Sequence, residues 1–164
     1  MRVNVTRAIL TAVSILGASV PALAAPADCE ALAEAYGKLG TVPAFRQQVE
    51  QDGTKLETIA VGDNLYMNMD GEWTALPLSP GGRAAMFEGT FDILLIKECS
   101  VSGEEMLNGK AMVVYDYVLP PIEGLSTEPM PQKVWVGKDD GLPYLVTNPT
   151  GQSIVSYEGV EAPL

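Results

Sequence analysis

Along most of the chain apolar and polar side chains alternate with a period of two, broken by short glycine-containing turns, and only one early stretch keeps helical spacing. In PADCEALAEAYGKLG, Asp28 is placed to cap a helix, Leu32, Ala35, Tyr36 and Leu39 fall on one face, and Gly40 can end it. After Pro43 the period shortens: Phe45, Gln47 and Val49 alternate with Arg46 and Gln48, Asp52-Gly53 supplies a turn, and Leu56 to Val61 forms a second extended run.

Leu65 to Met67 and Glu72 to Leu78 predict a hairpin whose register is judged by side-chain parity. A two-residue Asp70-Gly71 turn sets Met69 opposite Glu72 and Asn68 opposite Trp73, mixing polar and apolar on both faces. A three-residue loop, Met69-Asp70-Gly71, sets Met67 opposite Trp73 and Leu65 opposite Ala75, and segregates one apolar face; it is the register the pattern favours. Residues 79–90 read as a loop carrying one helical turn over Arg83 to Phe87. Phe91 to Ile96 reads as a strand continuing through Cys99 to Val101.

Ser100 to Leu107 and Ala111 to Leu119 flank Asn108-Gly109, a strong hairpin signal. Ala111, Val113, Tyr115, Tyr117 and Leu119 share one face and Met112, Val114, Asp116 and Val118 the other. Both faces are mainly apolar, which predicts a central strand covered on both sides. The proline-rich LPPIEGLSTEPMPQ then leads to strands over Lys133 to Val136, Tyr144 to Thr147 and Ser153 to Tyr157, with Asp139-Asp140-Gly141 as a turn. The total is seven to nine strands in hairpin order with one helix in front: an α+β fold, a curved, mainly antiparallel sheet with an N-terminal helix packed on it.

The first residues change the setting. Arg2 and Arg7 precede an apolar run from Ala8 to Val20 and the small-residue stretch Ala22-Leu23-Ala24, the layout of a secretory signal peptide over residues 1–24 with cleavage after about Ala24. The run is short of the ~20 residues a membrane-spanning helix needs, and no later segment supplies one. Residues 25–164 are then expected as a single exported periplasmic domain without a transmembrane segment. Of the 164 residues, ten are basic and twenty-one acidic; losing Arg2 and Arg7 leaves eight basic residues, so the exported part is still more acidic. Such a charge repels nucleic acid and anionic membrane surfaces. Cys29 and Cys99 stand in an exported chain, which favours a disulfide between them over the alternative of two buried thiols.

Candidate chemistry is sparse. The chain has no histidine, which removes the usual base near neutral pH and the commonest metal ligand. Glu104 and Glu105 are strand neighbours and point to opposite faces. Asp139-Asp140-Gly141 is turn chemistry without the spacing of a calcium loop. Met67 and Met69 share a face as two thioethers, a set better read as core packing than as a copper site. No enzyme, cofactor or metal is expected.

The order of turns and aromatics resembles the periplasmic LolA-like superfamily, which includes outer-membrane lipoprotein carriers and lipoprotein-binding envelope sensors. The resemblance rests on Gly62-Asp63, Tyr66, Asp70-Gly71 and Trp73, then Gly103 and Gly109, then Trp135 and Gly141-Leu142-Pro143, and extends over about Ala44 to Tyr157. It implies an unclosed, strongly curved half-barrel with helices on its concave side and an apolar cavity that in carriers holds acyl chains. The expected function is binding of a hydrophobic ligand, a lipid, acyl chain or lipoprotein, between sheet and helix, with Leu65, Met67, Trp73, Met112, Val114 and Trp135 as lining candidates. The alternative is an envelope interaction or sensor domain with a filled core, acting on a protein partner through its acidic surface and exposed strand edges.

Overall fold

Short turns of Asp-Gly and Asn-Gly set the architecture. Asp52-Gly53, Asp70-Gly71 and Asn108-Gly109 each hold positive φ at both positions, the conformation that lets a two-residue hairpin follow the twist of its strands. The computed structural model describes residues 26–90, 96–121 and 127–164. The signal peptide expected over residues 1–24, the strand reading of residues 91–95 and residues 122–126 of the proline-rich link lie outside the described residues.

Helix α1 (Pro26–Gly37) runs into a 3-10 turn (Lys38–Gly40). Four strands follow, β1 (Ala44–Gln51), β2 (Thr54–Val61), β3 (Asn64–Met69) and β4 (Glu72–Pro77), and then helix α2 (Gly82–Thr90). Five more, β5 (Lys97–Leu107), β6 (Lys110–Leu119), β7 (Met130–Gly137), β8 (Pro143–Asn148) and β9 (Gly151–Ser156), complete the element order. All join in one antiparallel sheet in the order β4-β3-β2-β1-β9-β8-β7-β6-β5. Because β1 pairs with β9 in the middle, the two edges are β4 and β5, which follow one another in sequence. The sheet is unclosed and strongly curved, as expected.

The helices cover one face. Leu32 and Ala35 of α1 pack with Ile96, Cys99, Tyr117, Val134 and Val136. Leu39 of the 3-10 turn packs with Phe45, Ala60, Leu65 and Val155, and Phe87 of α2 joins them. The Tyr36 and Tyr117 hydroxyls meet at 3.0 Å, and burial raises both phenols, that of Tyr117 to about 12. Gly40 admits α2, since a β-carbon there would stand 2.8 Å from the Ala84 Cα. Arg83 of α2, 4% exposed, donates to the Val42 carbonyl.

Four expectations change. The helix begins at Pro26, so Asp28 is a first-turn residue, and its carboxylate accepts the Val101 amide at 3.3 Å. The single turn expected over Arg83 to Phe87 is a nine-residue helix. The β3–β4 hairpin closes through the two-residue turn: Met69 pairs with Glu72, Asn68 with Trp73 and Leu65 with Leu76. Parity failed there because β4 is an edge strand exposed along most of its length, so nothing forces one face to be apolar, while the Asn68 carboxamide accepting the Gly71 amide at 3.0 Å favours the tight turn. Strand β6 is next to an edge, not central. Its Met112 and Val114, each 1% exposed, lie away from the helices under a link in which the Trp135 indole N–H donates to Glu105 at 2.8 Å from the strand beyond.

The Cys29–Cys99 bridge forms as expected and joins α1 to β5 across 70 residues of sequence. In the chain-entropy picture a loop of that length is worth roughly 4 kcal/mol. Cys99→Ser is therefore expected to lower unfolding stability in urea by a few kcal/mol under oxidising conditions and to leave Cys29 as one alkylatable thiol. Reductant should lower the native protein to the same level and leave the variant unchanged.

Candidate functional site

The face opposite the helices carries the concavities. Pairing places Val114, Trp135, Leu145, Ile154, Gln48, Glu57, Asn68 and Trp73 in one row across it. At the β6–β9 end of this face a groove of about 630 Å³ is lined by Leu107, Met112, Leu142, Tyr144, Leu145 and Ile154, with Lys110, Asp140 and Glu158 among its polar groups. A second groove of about 610 Å³, over β1 to β3, is lined by Gln48, Glu50, Lys55, Glu57, Asn68 and Asp70. Gln152 and Ile154 line both, so the two adjoin along β9 as a trough with its more apolar part at one end and its more polar part at the other. Each volume falls in the range of small-molecule sites, roughly 300–1,000 Å³.

A polar cluster fixes the apolar end. Lys110, just after the Asn108-Gly109 turn, donates to Asp140 at 2.5 Å and to the Tyr144 hydroxyl at 2.5 Å. The Tyr144 hydroxyl donates to Asp140 at 2.7 Å, and the Asp140 carboxylate also accepts the Leu142 amide at 3.0 Å. Tyr144 packs edge-on against Tyr157 at 5.1 Å, whose hydroxyl donates to the Pro143 carbonyl at 2.5 Å. From the helix side the Lys38 ammonium donates to the Asp140 carbonyl at 3.1 Å. A β-carbon on Gly141 would stand 2.4 Å from that ammonium, and Gly141 also takes positive φ.

The charges here are committed to one another. Partial burial pushes the Asp140 carboxyl up, but Lys110, Tyr144 and the Leu142 amide outweigh it and hold it below the ordinary aspartate value. The bonds to Asp140 and Tyr144 push the Lys110 ammonium up against a small opposing effect of burial. Burial raises the Tyr144 and Tyr157 phenols. A lysine held protonated and tyrosines held neutral cannot serve as bases near neutral pH; what the cluster does is brace the turns that frame the groove.

The six lining candidates divide between two faces. Leu65 is buried in the core beneath the helices, and Met67, on the same face, is 37% exposed. Trp73, Met112, Val114 and Trp135 lie on the opposite face. Met112 lines the apolar groove, and Trp73 stands beside Ile59 in a smaller hollow closed by Glu158, Gly159, Val160, Glu161 and Pro163. Leu145, Ile154 and Tyr144 were missed. Period two showed that alternate residues diverge, but which side the helix would take was not in the pattern. Among the described residues no group of three or more Cys, Asp or Glu is placed to hold a metal ion, and no helix is long and apolar enough to cross a membrane.

No protein-family model matches the chain, and no curated protein matches it as a relative. Solved structures do. The lipoprotein LppX of Mycobacterium tuberculosis is 12% identical, with 86% of this chain and 98% of LppX covered at a TM-score of 0.55. LprF of Mycobacterium bovis is 10% identical over 87% and 96% of the two chains, at 0.48. MucB in complex with MucA is 12% identical over 83% of this chain and 57% of that one, also at 0.48. At these identities the likeness is one of fold, and the LppX match bears out the LolA-like architecture expected from the sequence.

The Asp140 cluster predicts a pH dependence. A carboxyl lowered in the folded state contributes stability that is present above the unfolded value, about 3.9 for aspartate, and is lost as pH falls through the lower folded value. Asp140→Asn should lower stability at neutral pH and flatten this acid limb, so that variant and parent converge as pH drops below the aspartate range. Urea unfolding across that range measures it.

Proposed function

We propose that this chain is an exported, non-enzymatic binding protein that holds an amphiphilic ligand, a lipid or other acyl-chain compound, in the trough on the helix-free face. The observation that carries this reading is that an apolar and a more polar groove adjoin on one face and share Ile154 and Gln152. An acyl chain fits against Leu107, Met112, Leu145 and Ile154, and a polar head fits the end formed by Gln48, Glu50, Lys55 and Asn68.

We place the seat on the face away from the helices, not between sheet and helix as expected, because the two described grooves open there. Under the helices Leu32 and Phe45 are fully buried. The LolA-like fold agrees with a carrier of acyl chains, and the acidic charge agrees with a ligand whose head is neutral or cationic. Export agrees with the disulfide. The absence of histidine and the mutual commitment of Lys110, Asp140 and Tyr144 agree with binding without chemistry.

Ile154 is 44% exposed and lines both grooves, so it can be changed with little effect on the core. Delipidated protein is expected to take up a fluorescent acyl-chain probe, and Ile154→Glu to weaken that uptake about tenfold or more, which is ~1.4 kcal/mol, with the melting temperature nearly unchanged. Absence of uptake, together with absence of lipid in an organic extract of purified protein, would remove the reading.

A further inference from the structure

The two edges of the sheet are finished differently. Strand β5 is blunted: its pairing to β6 shifts register twice, Glu98 takes positive φ, and α1 is bonded to it through Cys29–Cys99. The Val101 amide is already taken by Asp28, and Glu104 and Glu105 on the remaining half are tied to Lys138 and Trp135. These are the devices by which sheets prevent another chain from adding to an edge.

Strand β4 has none of the same protection over its centre. It pairs with β3 in unbroken register from Glu72 to Pro77, and Trp73-Thr74-Ala75-Leu76 carries no charge. In a hairpin with a two-residue turn the residues flanking the turn form a hydrogen-bonded pair, and the pattern then alternates. Glu72, Thr74 and Leu76 therefore turn their backbone groups to β3. The Leu78 amide bonded to the Asp63 carbonyl at 3.0 Å continues that phase. Trp73 and Ala75 consequently present both N–H and C=O outward. Pro77, which has no N–H to leave unpaired, falls in the same outward set.

Only an extended backbone matches donors and acceptors in that alternation. Beside them Leu76, Met67 and Met69 are 45%, 37% and 59% exposed on one face, a strip that alternate apolar side chains of an added strand would cover. From Leu56 to Gly82 the chain has Glu57, Asp63, Asp70 and Glu72 and no lysine or arginine; Arg46, in the hollow beside Trp73, is paired with Glu57, so Asp70 and Glu72 leave the turn end of the strip acidic. A second copy would bring the same acids and a net charge of the same sign, −11 over the whole sequence, so the complementary occupant is cationic.

We propose that β4 is a docking edge at which an extended, basic segment of a partner protein adds as a further strand, with apolar residues toward Leu76 and Met67 and a lysine or arginine toward Glu72. This use rests on the edge and not on the trough, so either can fail without the other.

Ala75→Pro tests it, because it removes an outward N–H and leaves the bonds to β3 in place. A random peptide library selected on the full protein is expected to yield sequences that alternate apolar residues with lysine or arginine. Their affinity should fall with salt and drop about tenfold or more on Ala75→Pro. On hydrogen exchange a selected peptide should protect the Trp73 and Ala75 amides and leave those of β5 unchanged. The melting temperature of Ala75→Pro should stay close to that of the parent; if it does not, Ala75→N-methylalanine, made by semisynthesis, removes the same donor. Failure to select any such peptide, equal binding to the variant, or protection at β5 instead would overturn the proposal. So would self-association of the parent that Ala75→Pro abolishes, which would assign the edge to a second copy.

Discussion

The bond between Cys29 and Cys99 decides which parts of this sheet are closed and which stay open. It ties helix α1, which precedes the sheet, to the edge strand β5, with Leu32 and Ala35 seated against Tyr117, Val134 and Val136. Once α1 lies there, one face is partly covered and one edge is occupied. The 3-10 turn continues the same layer to Leu39, and α2 extends it by close contact at Gly40. What remains uncovered among the described residues follows from that single placement: the opposite face with its trough, and the edge at β4. Covalent attachment matters for a helix of this length, since a short helix owes its stability to packing more than to propensity.

Much of the fold was legible in the chain. The Asp-Gly and Asn-Gly pairs marked their turns because few residues tolerate the positive φ they require, and the helical spacing of Leu32, Ala35, Tyr36 and Leu39 marked the face that is buried. The site was less legible, for two physical reasons. Parity sorts a strand into two faces without saying which one a helix will cover, so Met112, Val114 and Trp135 were recognised as a set while their side was not. Parity also presumes that one face is buried; at β4 neither is, and the register inferred for Met67 and Trp73 slipped by one residue.

Asp140 shows a different kind of omission. An Asp-Asp-Gly triplet in a turn is adequately explained by turn chemistry, and Asp139 fits that explanation. Asp140 gathers Lys110, Tyr144 and the Leu142 amide, while its carbonyl receives Lys38 from the helix layer. Lys110 and Lys38 lie 30 residues and 102 residues away in sequence, where no local pattern can reveal them. The Gly141-Leu142-Pro143 signature therefore has a tertiary reason: Gly141 leaves room for the Lys38 side chain that links the helix layer to the turn framing the groove.

The trough and the β4 edge impose different demands on what binds, and the charge distribution separates them. In the apolar groove the Lys110 ammonium is neutralised by Asp140, and Glu158 stands at the margin, so an anionic head group placed there meets carboxylates without a free cation. On the proposed reading, an acyl chain would lie there with its head at the polar end. There Lys55 and the carboxamides of Gln48 and Asn68 offer donors beside Glu50, Glu57 and Asp70. That end borders the Asp70-Gly71 turn, which leads into β4. A head group settled over Asn68 would lie on the same hairpin that presents the edge, and a strand added along Trp73 and Ala75 would stiffen that hairpin. The two proposed sites would therefore meet at the β3–β4 hairpin, whose edge strand has pairing on a single side, and a modest difference in binding free energy there would be enough to couple them.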